Sequence, residues 1–343
     1  MATIFANTGN DSIVGPDPNN YLVGNIGNDT FLGGVGNNTI LGFAGNDSII
    51  GGDGFAGSDS IRGGIGSSTI VAGAGADTIY GGKGNANITA GAGNDFITGG
   101  PGADTIVGGT GQATIHAGHG AGHNITGGSG NDVIYGDKGT GTITGGSGTN
   151  TIYGGTGTED IIGGAGINYI VGSTAANTIL GGAGLDTIFG GPGSDSITAG
   201  KGSAWIQAAA GADTIIGGQG NDTIYTGKGN SSVLAGSGND SIIAGKGTDT
   251  IEFGSGNDTV SGRTGGQKDI FVIDETLSPN TQIDVLSKFI PTVEKIQLLH
   301  SINGPQIATD SAGNAVVILE TGTHITLTGV AAKSISNTDF LFS

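Results

Sequence analysis

Acidic side chains recur in this chain at a fixed offset from large apolar ones. Fifteen aspartates stand two residues ahead of an Ile, Val or Phe that recurs on a nine-residue beat: Asp11, Asp29, Asp47, Asp59, Asp77, Asp95, Asp104, Asp132, Asp186, Asp195, Asp213, Asp222, Asp240, Asp249 and Asp258. Successive members lie nine residues or a multiple of nine apart, except across two short insertions. A net charge of −18 favours cations as partners and argues against nucleic acid and anionic membrane surfaces. Each such aspartate has a plainer use, closing an Asx turn on its own backbone without any ion. A second cluster is His116, His119 and His123, where three imidazoles could hold zinc or nickel, or form a solvated turn. Glu159 and Asp160 read as a solvated pair. There is no His-Glu-x-x-His, no Gly-x-Ser-x-Gly in a strand-to-helix context, and Gly-x-Gly occurs too often to mark a nucleotide site. The chain therefore reads as a non-enzyme.

The elements that position these carboxylates follow from the apolar beat. Buried-type residues recur every nine positions from Ile13 to Ile49, from Ile61 to Ile115 after a three-residue insertion near Gly54, and from Ile125 to Val260 after a one-residue insertion near His119. This gives 28 rungs. Three residues, such as Thr223-Ile224-Tyr225, form a short strand with the central side chain inward, because strand side chains alternate. Glycine, 75 of 343 residues, supplies the turns, and no collagen-like triplet accounts for it. Cysteine is absent, so the chain uses neither disulfides nor thiolate metal sites. No apolar run is long enough to span a bilayer, and the first residues lack the basic and apolar segments of a cleaved signal.

The unit reads Gly-Gly-x-Gly-x-Asp-x-Ile-x, as in Gly99-Gly100-Pro101-Gly102-Ala103-Asp104-Thr105-Ile106-Val107. It resembles the RTX nonapeptide over roughly residues 7 to 262. The resemblance implies an all-β parallel β-roll, two nonapeptides per coil, with Ca2+ in the turns and the aspartate as its ligand. Calcium takes six to eight oxygens, so two adjacent turns on one edge must share an ion, and Asp should recur two rungs on. Seven pairs satisfy this: Asp11/Asp29, Asp29/Asp47, Asp59/Asp77, Asp77/Asp95, Asp195/Asp213, Asp222/Asp240 and Asp240/Asp258. Asp104, Asp132, Asp186 and Asp249 lack such a partner and are weaker candidates. The departure is greatest between Asp104 and Asp186, where Asn150 and Asn168 face each other one coil apart and no carboxylate pair occurs.

A longer period of 36 residues overlies the nonapeptide. Outward Thr recurs in pairs at that spacing, and Tyr80, His116, Tyr153, Phe189 and Tyr225 follow it after the inward Ile. Tyr80, Tyr153, Phe189 and Tyr225 are expected to form a stripe at two strand spacings, with outward Leu41, Val71, Val107, Val171, Leu180, Ile216 and Ile243 around it. The stripe is either a contact surface or an echo of duplication.

The glycine beat ends near Gly266, which divides the sequence into a roll at 1–266 and a segment at 267–343. That segment carries alternating apolar runs and ends Thr338-Asp339-Phe340-Leu341-Phe342-Ser343. It resembles the C-terminal region of serralysin-type RTX exoproteins, which implies a β-rich cap and an uncleaved signal for type I secretion machinery. The reading that follows is a secreted calcium-binding structural protein at the cell surface or outside it. It folds on calcium and self-associates into a layer, matrix or filament, aided by a start to the repeat that shows no cap. The alternative is an extracellular module binding polysaccharide or ice.

Overall fold

The computed structural model describes residues 2–52, 57–263, 267–274, 276, 282–301 and 303–342. The chain is an all-β parallel β-solenoid of about 15 turns. Thirty-six strands and two short 3-10 turns, Ala332–Ser334 and Asn337–Asp339, are its regular elements among the described residues. No described helix is long and apolar enough to cross a membrane. Two compact units divide the chain, Met1–Thr174 and Ala175–Ser343.

In each unit, consecutive strands alternate between two parallel sheets, so a strand pairs with the strand two rungs on. In the first unit Ile79 lies beside Ile97, and Ile97 beside Ile115. In the second, Ile206 lies beside Ile224, and Ile224 beside Ile242. All 28 beat residues are buried, most of them completely, so the expected inward set is borne out. Each buried Ile contributes on the order of 1.5–3 kcal/mol. The insertions change only the spacing: Ile40 pairs with Ile61, and Ile106 with Ile125. Gly54, near which the first insertion was placed, lies outside the described residues. The second insertion is a register shift between Ala121 and His123.

Strand alternation also decides where the acids go. The strand Asp95–Gly100 alternates buried and less buried residues, and Asp95, Ile97 and Gly99 form its buried set. A rung therefore turns three residues inward: the acid-position residue, the apolar one and, except at Thr226 and Phe253, a Gly or Ala. The composition changes near residue 266, but the parallel ladder continues. Ile270–Asp274 pairs with Thr250–Glu252, Ile283–Ser287 with Thr259–Ser261, and Lys295–Leu299 with Ile270–Asp274. Beyond it, Gln306–Thr309, Ala315–Ile318 and His324–Thr328 form an antiparallel meander. Phe340–Phe342 closes in parallel against Lys295–Leu299.

Candidate metal centre: buried carboxylate columns in the turns

The aspartates stack in columns, one per turn edge. The backbone N–H of each acid-position residue donates to Oδ1 of the acid one coil later. Asp59 donates to Asp77 at 2.7 Å, Asp77 to Asp95 at 2.9 Å, and Asp240 to Asp258 at 2.8 Å. Asp11 to Asp29, Asp29 to Asp47, Asp195 to Asp213 and Asp222 to Asp240 follow the same rule at 2.8–2.9 Å. All seven expected pairs are thus neighbours in space.

The second oxygen of these carboxylates has a different fate. Oδ2 of Asp11, Asp47, Asp77, Asp95, Asp104, Asp132, Asp195, Asp213, Asp222, Asp240 and Asp258 is buried and accepts no hydrogen bond among the described residues. An unpaired buried carboxylate oxygen is costly and calls for a donor or a cation. Its surroundings are further acceptors. The position a Cβ would take on Gly190 is 2.7 Å from Asp195 Oδ2 and 2.8 Å from the Ala208 carbonyl oxygen. At Gly99 the corresponding distances are 2.5 Å to Asp104 Oδ2 and 2.6 Å to the Ala117 oxygen. Glycine leaves open a notch on which oxygens converge, and this donor set fits a hard divalent cation.

Burial drives the acidities in the same direction. Desolvation, opposed in part by the backbone N–H, pushes Asp47, Asp59, Asp77, Asp104, Asp213 and Asp240 up to about 6. Asp222 is pushed to about 7 and Asp258 to about 8, where neighbouring carboxylates add to the burial.

Where Asn takes the acid position, the side chain supplies its own donor. Asn150 Nδ2 donates to the Gly148 carbonyl at 2.9 Å and to Asn168 Oδ1 at 3.2 Å. Asn20 and Asn38 do likewise: Asn38 Nδ2 reaches the carbonyls of Gly36 and Gly51 at 3.0 and 3.2 Å. The weaker candidates differ among themselves. Asp104 lies between Ala86 and His123, and Asp132 between Ala113 and Asn150. Asp186 pairs in register with Ala204. Asp249 Oδ2 accepts the Thr226 hydroxyl at 3.0 Å, so a side chain already fills that turn.

The histidines separate. His123 is buried, its Nδ1 accepts the Asp104 N–H at 3.2 Å, and burial lowers its pKa. His116 stacks on Tyr135 at 4.5 Å, while His119 is exposed. Among the described residues, no three His, Cys, Asp or Glu are placed to hold one ion. Glu159, expected to be solvated, is buried in the acid position, and desolvation pushes it up to about 8.

Three acids of the columns escaped the sequence reading: Asp269, Asp284 and Glu294, all fully buried. Asp249 N–H donates to Asp269 Oδ1 and Asp258 N–H to Asp284 Oδ1, both at 2.9 Å. The signal was present, because each acid stands two residues before Phe271, Leu286 or Ile296. Longer turns hide the nine-residue beat there.

The aromatic stripe is denser than its 36-residue period. Ring centroids of His116 and Tyr135 lie 4.5 Å apart, and those of Tyr135 and Tyr153 5.2 Å, nearly parallel in both cases. In the second unit Trp205 lies between Phe189 and Tyr225, at 5.1 and 5.4 Å. Tyr80 lies beneath the Arg62 guanidinium at 4.9 Å. The outward aliphatics do not all surround these rings. Leu41, Val171 and Ile243 share their sheets, whereas Val71, Val107, Leu180 and Ile216 face out from the opposite ones. Successive rungs turn to opposite sheets, which separates residues nine apart.

Buried acids stacked between the coils of a parallel roll define a repeat protein built around turn-bound cations. The RTX calcium-binding nonapeptide repeat model matches residues 3–115 and 124–260 in overlapping segments, and the chain belongs to that family. It is a calcium-binding β-roll protein. The comparison with curated proteins returned no match. Among solved structures, the chain is similar to the extracellular lipase LipA from Serratia marcescens, at 18% identity and a TM-score of 0.26. The match covers 62% of this chain and 40% of the lipase.

Proposed function

We propose that this is a secreted, non-catalytic structural protein that folds on calcium outside the cell and assembles into a surface layer, matrix or filament. One observation carries the calcium dependence: column upon column of buried Oδ2 atoms with acceptor oxygens as their neighbours. Without ions these carboxylates repel and favour the open chain. With ions bound only to the folded form, each site adds RT ln(1 + [Ca]/Kd). Extracellular modules bind at roughly 10⁻⁴–10⁻³ M, which places the folding transition outside the cell. The turn ligands are Asp11, Asp29, Asp47, Asp59, Asp77, Asp95, Asp195, Asp213, Asp222, Asp240 and Asp258. Circular dichroism in EDTA, then in millimolar calcium, tests this, and a β-spectrum indifferent to both overturns it.

Support for assembly lies on the outer faces. Ile50, Val71, Leu180 and Ile216 are 37–40% exposed on the sheets opposite the aromatic rows. Ile50 and Val71 are neighbours across one sheet, and Thr198 alone separates Leu180 from Ile216; apolar patches of this kind can serve as contact surfaces. Light scattering and electron microscopy in calcium should show particles larger than the monomer; a monodisperse monomer at high concentration rejects assembly. Export through the C-terminus is tested by deleting residues 338–343, with retention in the cell expected. Asp339 accepts the N–H of Thr292 at 2.6 Å and that of Ser336 at 2.8 Å, so Phe342→Ser is the milder variant.

The alternative, a polysaccharide- or ice-binding module, draws its support from the opposite sheet rather than from the rings. His116, Tyr135 and Tyr153 occupy one another's faces, which a sugar would need. Thr69, Asn87, Thr105, Asn124 and Thr142 instead form an in-register polar row. Glycan arrays and ice-recrystallisation assays report on that row.

A further inference from the structure

The columns continue beyond the nonapeptides, and there the environment of the acids differs. Asp284 is satisfied internally, because Gln282 Nε2 donates to both of its oxygens at 3.2 and 3.0 Å. Asp269 and Glu294 have no such donor. Each uses one oxygen on a backbone N–H, Asp269 Oδ1 on Asp249 and Glu294 Oε2 on Ile290 at 2.7 Å. Each leaves the other oxygen, Asp269 Oδ2 and Glu294 Oε1, buried and without a partner among the described residues. Strand pairing sets Ile270 beside Lys295 and Phe271 beside Ile296, so the two acids occupy successive coils of one column.

The notch beside Gly262 completes the comparison. A Cβ there would stand 3.3 Å from Glu294 Oε1, 3.4 Å from the Lys288 carbonyl oxygen and 3.4 Å from Phe271 Cζ. Within the nonapeptides, the notch at Gly24 has the same lining. Asp29 Oδ2 lies at 2.8 Å, the Gly42 carbonyl oxygen at 2.5 Å and Phe31 Cζ at 2.8 Å. A carboxylate oxygen, a carbonyl oxygen and the tip of a phenylalanine ring recur in both. At Gly262 the carboxylate comes from the following coil, and glutamate has the extra methylene that lets it reach back.

We propose that Asp269 and Glu294, with the Lys288 carbonyl, form a divalent-cation site outside the nonapeptide array, and that its ion is calcium. This rests on the calcium reading of the columns and extends it to a segment that the repeat model does not match. The ion ties the coil at 288–299 to the coil before it, so the last parallel strands dock in a calcium-dependent way.

Native mass spectrometry of the full chain across a calcium titration tests this. Glu294→Gln should bind one calcium fewer than the unaltered chain. The glutamine amide can donate to the Lys288 carbonyl, as Asn150 does to Gly148, so the variant should fold. Asp269→Asn should lose the same ion, and Asp284→Asn should lose none. Hydrogen exchange in calcium should show residues 295–299 less protected in Glu294→Gln, with the strands around Ile79 and Ile97 unchanged. A folded Glu294→Gln chain with the full complement of calcium overturns the site while leaving the nonapeptide reading intact. If Glu294→Gln does not fold, Glu294→Asp, which keeps the charge but shortens the reach, must still lose one ion or the site is rejected. An unaltered chain that binds no calcium overturns both readings.

Discussion

Two turns of the first unit differ by little more than an oxygen exchanged for an amide nitrogen. In the column Asp59–Asp77–Asp95, Oδ2 of Asp77 and of Asp95 is buried with no donor. In the pair Asn150–Asn168, Nδ2 of each residue donates to the carbonyl two residues back, at 2.9 and 2.8 Å. The backbone is alike in both, a glycine-rich turn between parallel strands. The amide carries its own donors; the carboxylate must borrow positive charge from solution. On the proposed coupling of folding to calcium, a roll with both kinds of turn has coils that need ions and coils that do not, and the ratio would set how steeply folding depends on calcium.

The largest effect should come from exchanging the two chemistries. Asn150→Asp with Asn168→Asp places two carboxylates where amides now bond. Without calcium the double variant should lose about 2–6 kcal/mol, the cost of roughly two buried unpaired groups, and millimolar calcium should restore much of it. Denaturant melts with and without EDTA measure this, and equal losses in both conditions refute the amide-for-cation equivalence.

Next in size is removal of a shared acid. Asp77→Ala and Asp240→Ala each disturb two pairs, and their calcium midpoints should rise about tenfold, roughly 1.4 kcal/mol of binding free energy. Asp132→Ala leaves the Ala113 N–H without its acceptor and so costs stability. It removes no carboxylate pair, and its calcium midpoint should move less than about twofold. Equal midpoints for Asp240→Ala and Asp132→Ala would discard the pairing scheme.

Acidity gives a smaller, graded effect. Asp47, Asp77 and Asp240 are raised to about 6 and Asp258 to about 8 by burial. A raised carboxylate pKa means that the ion-free fold binds protons more tightly than the open chain does. Its contribution to stability is complete below the unfolded value near 4 and fades as pH rises through 6 to 8. Without calcium, β-structure should therefore grow on acidification towards pH 4. Calcium binding should release protons, and affinity should strengthen between pH 6 and 8. A calcium midpoint indifferent to pH across that window contradicts the burial of these groups.

The smallest effect concerns Thr226, whose hydroxyl donates to Asp249 and accepts the Gly245 N–H at 2.7 Å. Thr226→Val should cost about 1 kcal/mol in a thermal melt, in calcium or in EDTA, because a protein donor rather than an ion is lost. A cost seen only in EDTA would place an ion there too.

The sequence was most legible where a single period rules. Every beat residue from Ile13 to Val260 is buried, and every expected acid pair is adjacent, because strand alternation and an 18-residue coil leave no other register. Legibility failed where the period stretched. Phe271 lies 20 residues beyond its partner Ile251 and Leu286 lies 26 beyond Val260, so Asp269 and Asp284 fell out of step with the count. It failed again where satisfaction depends on residues from another coil. Nothing in the one-dimensional pattern announces that Thr226 serves Asp249. The aromatic row was read as sparse because Tyr135 and Trp205 break the 36-residue period, although each stands between two of its members.

The hydrogen bonds along the columns all point one way. Asp59 donates to Asp77, Asp77 to Asp95, Ser231 to Asp249 and Asp249 to Asp269, always from the earlier residue to the later side chain. The residue just ahead of the acid runs the other way: Asn46 N–H donates to Asn28 Oδ1 at 2.7 Å and Asn257 N–H to Asn239 Oδ1 at 2.8 Å, from the later coil to the earlier side chain. Each such turn is therefore latched from both sides, by a buried catch facing forward and an exposed one facing back. Peeling a coil from the C-terminal side frees the buried N–H of its predecessor; peeling one from the N-terminal side frees only the exposed N–H of its successor, which water can satisfy. Under tension the two ends of the seam should yield unequally, the end whose loss bares a buried donor holding longer.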